Sequence, residues 1–125
     1  MSDSKFKVHI DMDVDMTQKD LDDLMCTALE GGICYWCGRA EVVGEMLGDY
    51  AHEQISRGGS LILYDAESSD KWELTLEKFL CGLGLYLGEA MSAAFEGEDI
   101  DSSDFDADAV DCIVQYALFG KLVFG

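Results

Sequence analysis

The sequence predicts one α+β domain over residues 1–125, in which two or three helices cover a mainly antiparallel sheet. Short runs rich in β-branched and aromatic residues predict strands, and longer runs with apolar residues at helical spacing predict helices. These runs follow in the order β-α-β-(α)-β-β-α-α-β, which implies the α+β class. A chain of 125 residues can bury roughly two thirds of its unfolded surface, so folding requires neither a disulfide nor a metal.

The first predicted element is a strand. In KVHIDMDVDM, residues 7–16, apolar and polar residues alternate, as they do in a strand that buries one face. The opposite face then carries a row of three aspartates, Asp11, Asp13 and Asp15. These carboxylates are candidate contacts for a basic partner.

A helix and a glycine-rich junction are predicted next. Thr17 and Asp20 form the T-x-x-D pattern of a capping box, and apolar residues at helical spacing follow until Gly31-Gly32 ends the helix. The segment GGICYWC is expected to enter or form a strand that buries Trp36 or Tyr35. Residues 40–50 fit a strand followed by an irregular helix.

A hairpin and a long helix are predicted in the second half of the chain. LILY and KWELT flank a polar loop, which predicts a β-hairpin over residues 60–75. The longest helix follows from Thr75 and contains three glycines, each of which lowers helix stability by about 1 kcal/mol. Gly82, Gly84 and Gly88 therefore favour close approach of another backbone, in the core or at the seam of a homodimer.

The C-terminal part is predicted to contain an acidic linker, a helix and a strand. The linker covers about residues 96–108, and its last aspartates precede the helix, where the helix dipole favours anions. The helix ends at Gly120, and KLVFG is expected to form a closing strand.

Five cysteines in a chain without a signal-peptide pattern favour free thiols in a reducing, cytoplasmic compartment. Cys34 and Cys37 have the C-x-x-C spacing that zinc sites and redox pairs share. A structural zinc site usually needs a second such pair, and a redox pair usually precedes a helix, so buried or half-buried thiols in a core strand are the simpler interpretation. We expect no metal, no cofactor and no catalytic residue.

The net charge of −18 and the pI near 4.1 restrict the classes of partner. Such a surface repels nucleic acid and anionic membranes, because affinity for phosphate comes largely from lysine and arginine. It attracts basic proteins instead and speeds their association at low salt. Acidity that only keeps the protein soluble is the alternative.

A small-ligand site is a second hypothesis, and it falls in residues 31–90, the least acidic part of the chain. There an aromatic side chain could stack on a base while arginines bind an attached phosphate and glycine amides approach it. No phosphate-loop spacing accompanies this group. The candidate residues are Tyr35, Trp36, Arg39, Arg57, Gly58 and Gly59.

Four segments carry a family resemblance: TALEGGICYWCGRAEVVG, HEQISRGGSLILYDAE, KWELTLEKFL and VQYALFGKLVFG. Together they resemble a family of small acidic proteins from bacteriophages and integrated mobile elements, over most of residues 17–125. The resemblance implies a counter-defence protein of the anti-CRISPR kind that acts by stoichiometric binding. It assigns a role to no individual residue.

The sequence thus leaves three hypotheses. In the preferred one, the protein is an acidic decoy that occupies the nucleic-acid groove of a basic host defence protein, of the anti-CRISPR or anti-restriction type. In the second, an oligomer sequesters a nucleotide-derived immune signal; in the third, a small enzyme degrades such a signal. The decoy would bind through carboxylates of the first strand and the acidic linker: Asp11, Asp13, Asp15, Asp99, Asp101, Asp104, Asp106 and Asp108.

Overall fold

The computed structural model describes residues 5–9, 13–88 and 105–125. Within these ranges the chain forms an α+β fold, as predicted. Its strands and helices are β1 (Lys5–His9), β2 (Asp13–Thr17), α1 (Gln18–Thr27), β3 (Cys37–Val42), β4 (Ser60–Asp65), β5 (Lys71–Thr75), α2 (Leu76–Tyr86) and α3 (Ala107–Phe119).

The main sheet has three antiparallel strands in the order β3-β4-β5. Leu61 of β4 lies opposite Val42 of β3 and Leu74 of β5, so apolar side chains from the three strands share one face. Leu61, Leu63 and Leu74 are completely buried, and this face belongs to the hydrophobic core. The predicted hairpin over residues 60–75 is confirmed as β4 and β5.

The prediction of one strand over residues 7–16 is wrong. The chain forms two short strands instead, and β1 pairs with β2 in an antiparallel ladder with Val8 opposite Val14. Period-two alternation fits each arm of such a ladder, and pairing gives both arms backbone hydrogen-bond partners that one isolated strand lacks. Asp11 lies outside the described residues, while Asp13 and Asp15 belong to β2.

The predicted capping box at the start of α1 is confirmed. The Thr17 hydroxyl accepts a hydrogen bond from the Asp20 amide, and the Asp20 carboxylate accepts one from the Thr17 amide, each 3.1 Å long. The α-helix ends at Thr27, and one wide turn with i to i+5 hydrogen bonds continues to Gly32. The glycine pair therefore ends the helical segment as predicted.

Close approach of α2 and α3 is confirmed at Gly82. A Cβ atom at this position would collide with the carbonyl oxygen of Ile113 and would lie 2.8 Å from the backbone nitrogen of Ala117. The missing side chain thus lets the two helices pack backbone against backbone. The described contacts place this glycine in the core of one chain.

The C-terminal prediction is partly right. Asp106 caps α3, because its carboxylate accepts a hydrogen bond of 2.8 Å from the Ala109 amide, and the helix ends at Gly120 with φ of 74°. The prediction that the acidic linker reaches residue 108 is wrong, because α3 already begins at Ala107. Residues 96–104 lie outside the described ranges. KLVFG forms no strand.

In the described part of the chain, no helix is long and apolar enough to cross a membrane.

We predict that Gly82→Ala destabilises the protein. The added methyl group meets backbone atoms, so α2 and α3 must separate, and overpacking of this kind costs about 1–3 kcal/mol. That loss exceeds the roughly 1 kcal/mol that alanine gains over glycine in helix propensity. Urea unfolding measures the change. Gly31→Ala is the matched control, since no atom beyond its own helical backbone and chain neighbours lies within 4 Å of the added Cβ. Equal stability of both variants would contradict the close packing.

Candidate functional site

In the segment GGICYWC, the two glycines end the preceding helical segment, residues 33–36 form a tight turn, and β3 begins at Cys37. The Ile33 carbonyl oxygen accepts hydrogen bonds from the amides of Trp36, at 3.0 Å, and Cys37, at 2.8 Å. The prediction that this segment enters a strand is confirmed. The turn directs the side chains of Tyr35 and Trp36 towards α3.

Both side chains donate hydrogen bonds to Asp111 of α3. Its carboxylate is buried and accepts a hydrogen bond of 2.8 Å from the indole Nε1 of Trp36 and one of 2.5 Å from the hydroxyl of Tyr35. Gln115, one helical turn later, donates a third bond of 2.9 Å from Nε2. We call these four side chains the Asp111 network. It satisfies a buried carboxylate with three donors.

Gln115 extends the Asp111 network to the C-terminal tail. Its Oε1 accepts hydrogen bonds from the amides of Val123, at 2.7 Å, and Phe124, at 2.8 Å. These are amides that a closing strand would have paired with a neighbouring strand. The tail is therefore held by one buried side chain, which is the physical reason why KLVFG need not be a strand.

Trp36 is a core residue. It is 3% exposed, and its ring stacks on Phe124 with centroids 4.9 Å apart and planes at 4°. Trp72 packs against it edge-on at 5.8 Å, and Phe119 packs at 6.3 Å. The prediction that Trp36 or Tyr35 is buried is confirmed for Trp36. A ligand could stack on this ring only by displacing one of these neighbours.

Tyr35 is half exposed, but its hydroxyl points to the buried carboxylate. Burial of the hydroxyl, followed by the hydrogen bond to Asp111 and the negative charge of that group, raises the pKa of Tyr35 to about 12. The hydroxyl therefore stays protonated at neutral pH and acts as a donor. This arrangement gives Tyr35 a structural contact while one part of its ring remains in solvent.

Arg39 and Arg57 both contact other parts of the protein. The Arg39 guanidinium lies 4.1 Å from the ring centroid of Tyr64, a cation–π contact on the outer face of the sheet. Arg57 donates from Nη1 to the Glu53 carbonyl oxygen at 3.2 Å and to the Asp22 carboxylate at 3.5 Å. The two arginines that the ligand hypothesis groups together thus lie on separate elements.

The glycines beside Arg57 have conformational and packing roles. Gly58 has φ of 89°, a left-handed conformation that favours glycine. A Cβ at Gly59 would lie 2.5 Å from Nε2 of Gln54, so a larger residue would displace that side chain from its position. Both positions are explained without an anion.

A cleft of about 280 Å³ lies beside the two cysteines of the C-x-x-C pattern. The expectation of buried or half-buried thiols in a strand is confirmed for Cys37 at the start of β3 and is wrong for Cys34, which is exposed in the preceding turn. Burial raises the pKa of the Cys37 thiol. Because the thiolate is the reactive form, this shift makes Cys37 a poorer nucleophile. The cleft is lined by Leu29, Ile33, Cys34, Cys37, Gly38, Arg39, Ala40 and Ala51.

Among the described residues, no three histidine, cysteine or acidic side chains lie together as a metal would require.

The candidate carboxylates of the decoy hypothesis are only partly described. Asp106 and Asp108 are exposed at the start of α3, where Asp106 also caps the helix. Asp13 and Asp15 lie in β2, opposite His9 and Lys7 in the ladder. Asp11, Asp99, Asp101 and Asp104 lie outside the described ranges.

Sequence reasoning missed Asp111 and Gln115. The signal was present, because two polar residues four apart interrupt the apolar run VDCIVQYALF of α3. Residues four apart lie on one face of a helix, and a polar pair on a buried face requires partners. The sequence did not indicate that those partners are Tyr35 and Trp36.

Comparison with family models, curated proteins and solved structures finds no match to this chain. The resemblance to small acidic phage proteins therefore stays a prediction.

We predict that Tyr35 makes stability depend on pH above 10. In the unfolded chain its hydroxyl ionises near pH 10, whereas the folded protein keeps the proton until about pH 12. The stabilisation is complete below pH 10 and is lost as the pH rises to about 12. Urea unfolding of the wild-type protein and of Tyr35→Phe, between pH 8 and about 12, measures the difference in their free energies of unfolding. The wild-type advantage should shrink across this window; a constant difference would contradict the hydrogen bond to Asp111.

Proposed function

We propose that the protein inhibits a host defence system by stoichiometric binding, as an acidic decoy for the nucleic-acid groove of a basic defence protein. The proposal places it in the bacterial cytoplasm, as an inhibitor rather than an enzyme. It is of the anti-CRISPR or anti-restriction type, in agreement with the family resemblance.

One observation carries the proposal: exposed carboxylates are distributed over the sheet, its loops and the helix ends. Ion pairs between described side chains join Lys19 to Asp23 and Arg57 to Asp22. These pairs use carboxylates of α1, and they leave a strong excess of negative charge elsewhere. The exposed acidic residues in the described ranges are Glu30, Glu41, Glu45, Asp49, Glu67, Asp70, Glu73, Glu77, Asp106 and Asp108.

Such a surface suits a groove that normally binds phosphates. A groove lined by lysine and arginine binds a nucleic acid through many weak, salt-dependent contacts. Carboxylates spread over a folded domain can meet the same side chains, and the field of a protein with net charge −18 speeds the encounter.

The nucleotide sponge receives less support from the geometry. Trp36 is buried against Phe124, Arg39 lies on Tyr64, and Arg57 contacts Asp22. The cleft beside Cys34 and Cys37 lies just below the usual range of small-molecule sites, about 300–1,000 Å³. The binding experiment below tests both hypotheses.

We predict steep salt dependence for the complex. The probes are a CRISPR effector loaded with guide RNA and a type I restriction endonuclease, each measured by surface-bound kinetics. Because the field is screened over about 8 Å at physiological salt, association should slow at least about tenfold between low and high salt. Replacing the five aspartates Asp99, Asp101, Asp104, Asp106 and Asp108 by asparagine should slow it further, and asparagine still caps α3 at position 106.

The control is thermal-shift screening against cyclic and linear nucleotides. A shift by a nucleotide that Arg39→Ala or Arg57→Ala abolishes would favour the sponge. Absence of binding to both protein probes at low salt would contradict the decoy.

A further inference from the structure

An irregular loop, residues 43–50, exposes four large apolar side chains. Val43 is 40% exposed, Met46 46%, Leu47 45% and Tyr50 63%. Single exposed apolar residues are ordinary on a protein surface, whereas four within eight residues form a local group. We call this segment the 43–50 loop. It connects β3 to a short 3₁₀ turn, Ala51–Glu53.

A buried amide holds the backbone of the 43–50 loop. Gln54 is 1% exposed, and its Oε1 accepts a hydrogen bond of 3.0 Å from the Leu47 amide. Its Nε2 donates to the carbonyl oxygens of Glu45, at 3.1 Å, and Val43, at 3.4 Å. One side chain thus fixes three points of the loop backbone.

A carboxylate fixes the end of the same loop. Glu53 Oε1 accepts hydrogen bonds from the amides of Asp49, at 2.7 Å, and Tyr50, at 3.3 Å. The bond from the Asp49 amide is the main cause of a lowered pKa of Glu53. A Cβ at Gly48 would lie 2.5 Å from Oε1 of Glu53, just as one at Gly59 would collide with Gln54. Both glycines keep space for the two side chains that hold the loop.

This construction is typical of a binding element rather than of a simple connection. The hydrogen bonds order the backbone in the free protein, which lowers the conformational entropy lost on binding. The four apolar side chains are 40–63% exposed, and none of them belongs to the hydrophobic core. The ring of Tyr50 stacks on His52, with centroids 5.5 Å apart. Apolar side chains that a loop holds in place before binding can form the central, buried contacts of a protein interface.

The charges around the four apolar side chains indicate which kind of partner surface fits the loop. Glu45 and Asp49 are exposed within the loop, and the loop contains no basic residue. A second copy of this chain is disfavoured, because two such loops would bring like charges together at the interface. A partner surface with an apolar pocket and a rim of lysine or arginine complements both the apolar side chains and the carboxylates of Glu45 and Asp49.

We propose that the 43–50 loop is the docking element for a protein partner, with Met46 and Leu47 inserted into an apolar pocket that a basic rim surrounds. This inference rests on the proposed function and deepens it, because it assigns the long-lived contact to the loop. The dispersed carboxylates then set the association rate, and the loop sets the dissociation rate.

The test compares the double variant Met46→Ser/Leu47→Ser with the matched control Leu85→Ser/Leu122→Ser. All four side chains are exposed, so both variants are expected to fold, and a thermal melt checks this. The probes are the guide-loaded CRISPR effector and the type I restriction endonuclease. The loop variant should bind about 10- to 100-fold more weakly, through faster dissociation and with an unchanged salt dependence of association. The control should stay within about twofold of wild type.

The outcomes separate the two proposals. Salt-dependent binding that the loop variant retains at wild-type affinity overturns the docking inference and leaves the decoy intact. A wild-type dimer that the loop variant converts to monomer, seen by light scattering, also overturns it, because the occupant would then be a second copy. If neither probe binds wild-type protein at low salt, the decoy fails, and the docking inference fails with it.

Discussion

Most of this fold depends on the hydrogen bonds that the buried carboxylate of Asp111 accepts. It accepts hydrogen bonds from Trp36, Tyr35 and Gln115, and Gln115 in turn binds the backbone of the C-terminal tail. The Asp111 network therefore joins the turn before β3, helix α3 and the tail. A charge can be buried at acceptable cost only when donors surround it, so these elements must be in place together.

The Asp111 network explains the most unusual part of the sequence as a structural element. GGICYWC combines aromatic residues, cysteines and a nearby arginine, as a ligand platform or redox pair can. In the fold, Trp36 packs on Phe124 and binds Asp111, while Cys37 is buried at the start of β3. Trp36 and Cys37 thus belong to the core, whereas Cys34, Tyr35 and Arg39 stay exposed. The described surface is strongly acidic and includes the ordered, apolar 43–50 loop.

Local rules predicted the local features correctly. The capping box at Thr17, the β4–β5 hairpin, the close approach at Gly82 and the end of α3 at Gly120 each depend on residues near one another in sequence or on one small side chain. The misses depend on partners that no local pattern identifies. The period-two pattern of residues 7–16 does not reveal where the ladder folds back, and the tail depends on Gln115. The 43–50 loop likewise depends on hydrogen bonds to the side chain of Gln54, which the sequence pattern does not indicate.

Hydrogen exchange of the indole Nε1 proton of Trp36, followed by NMR, tests the central claim most directly, with the half-buried Trp72 as the internal reference. If Trp36 donates to Asp111 inside the core, its indole proton should exchange only when the whole protein unfolds, at the rate of the slowest core amides. Asp111→Asn removes the charge that the three donors surround, so it should lower the stability of the protein and speed this exchange. An indole proton of Trp36 that exchanges as fast as that of Trp72 in the wild-type protein would contradict the account.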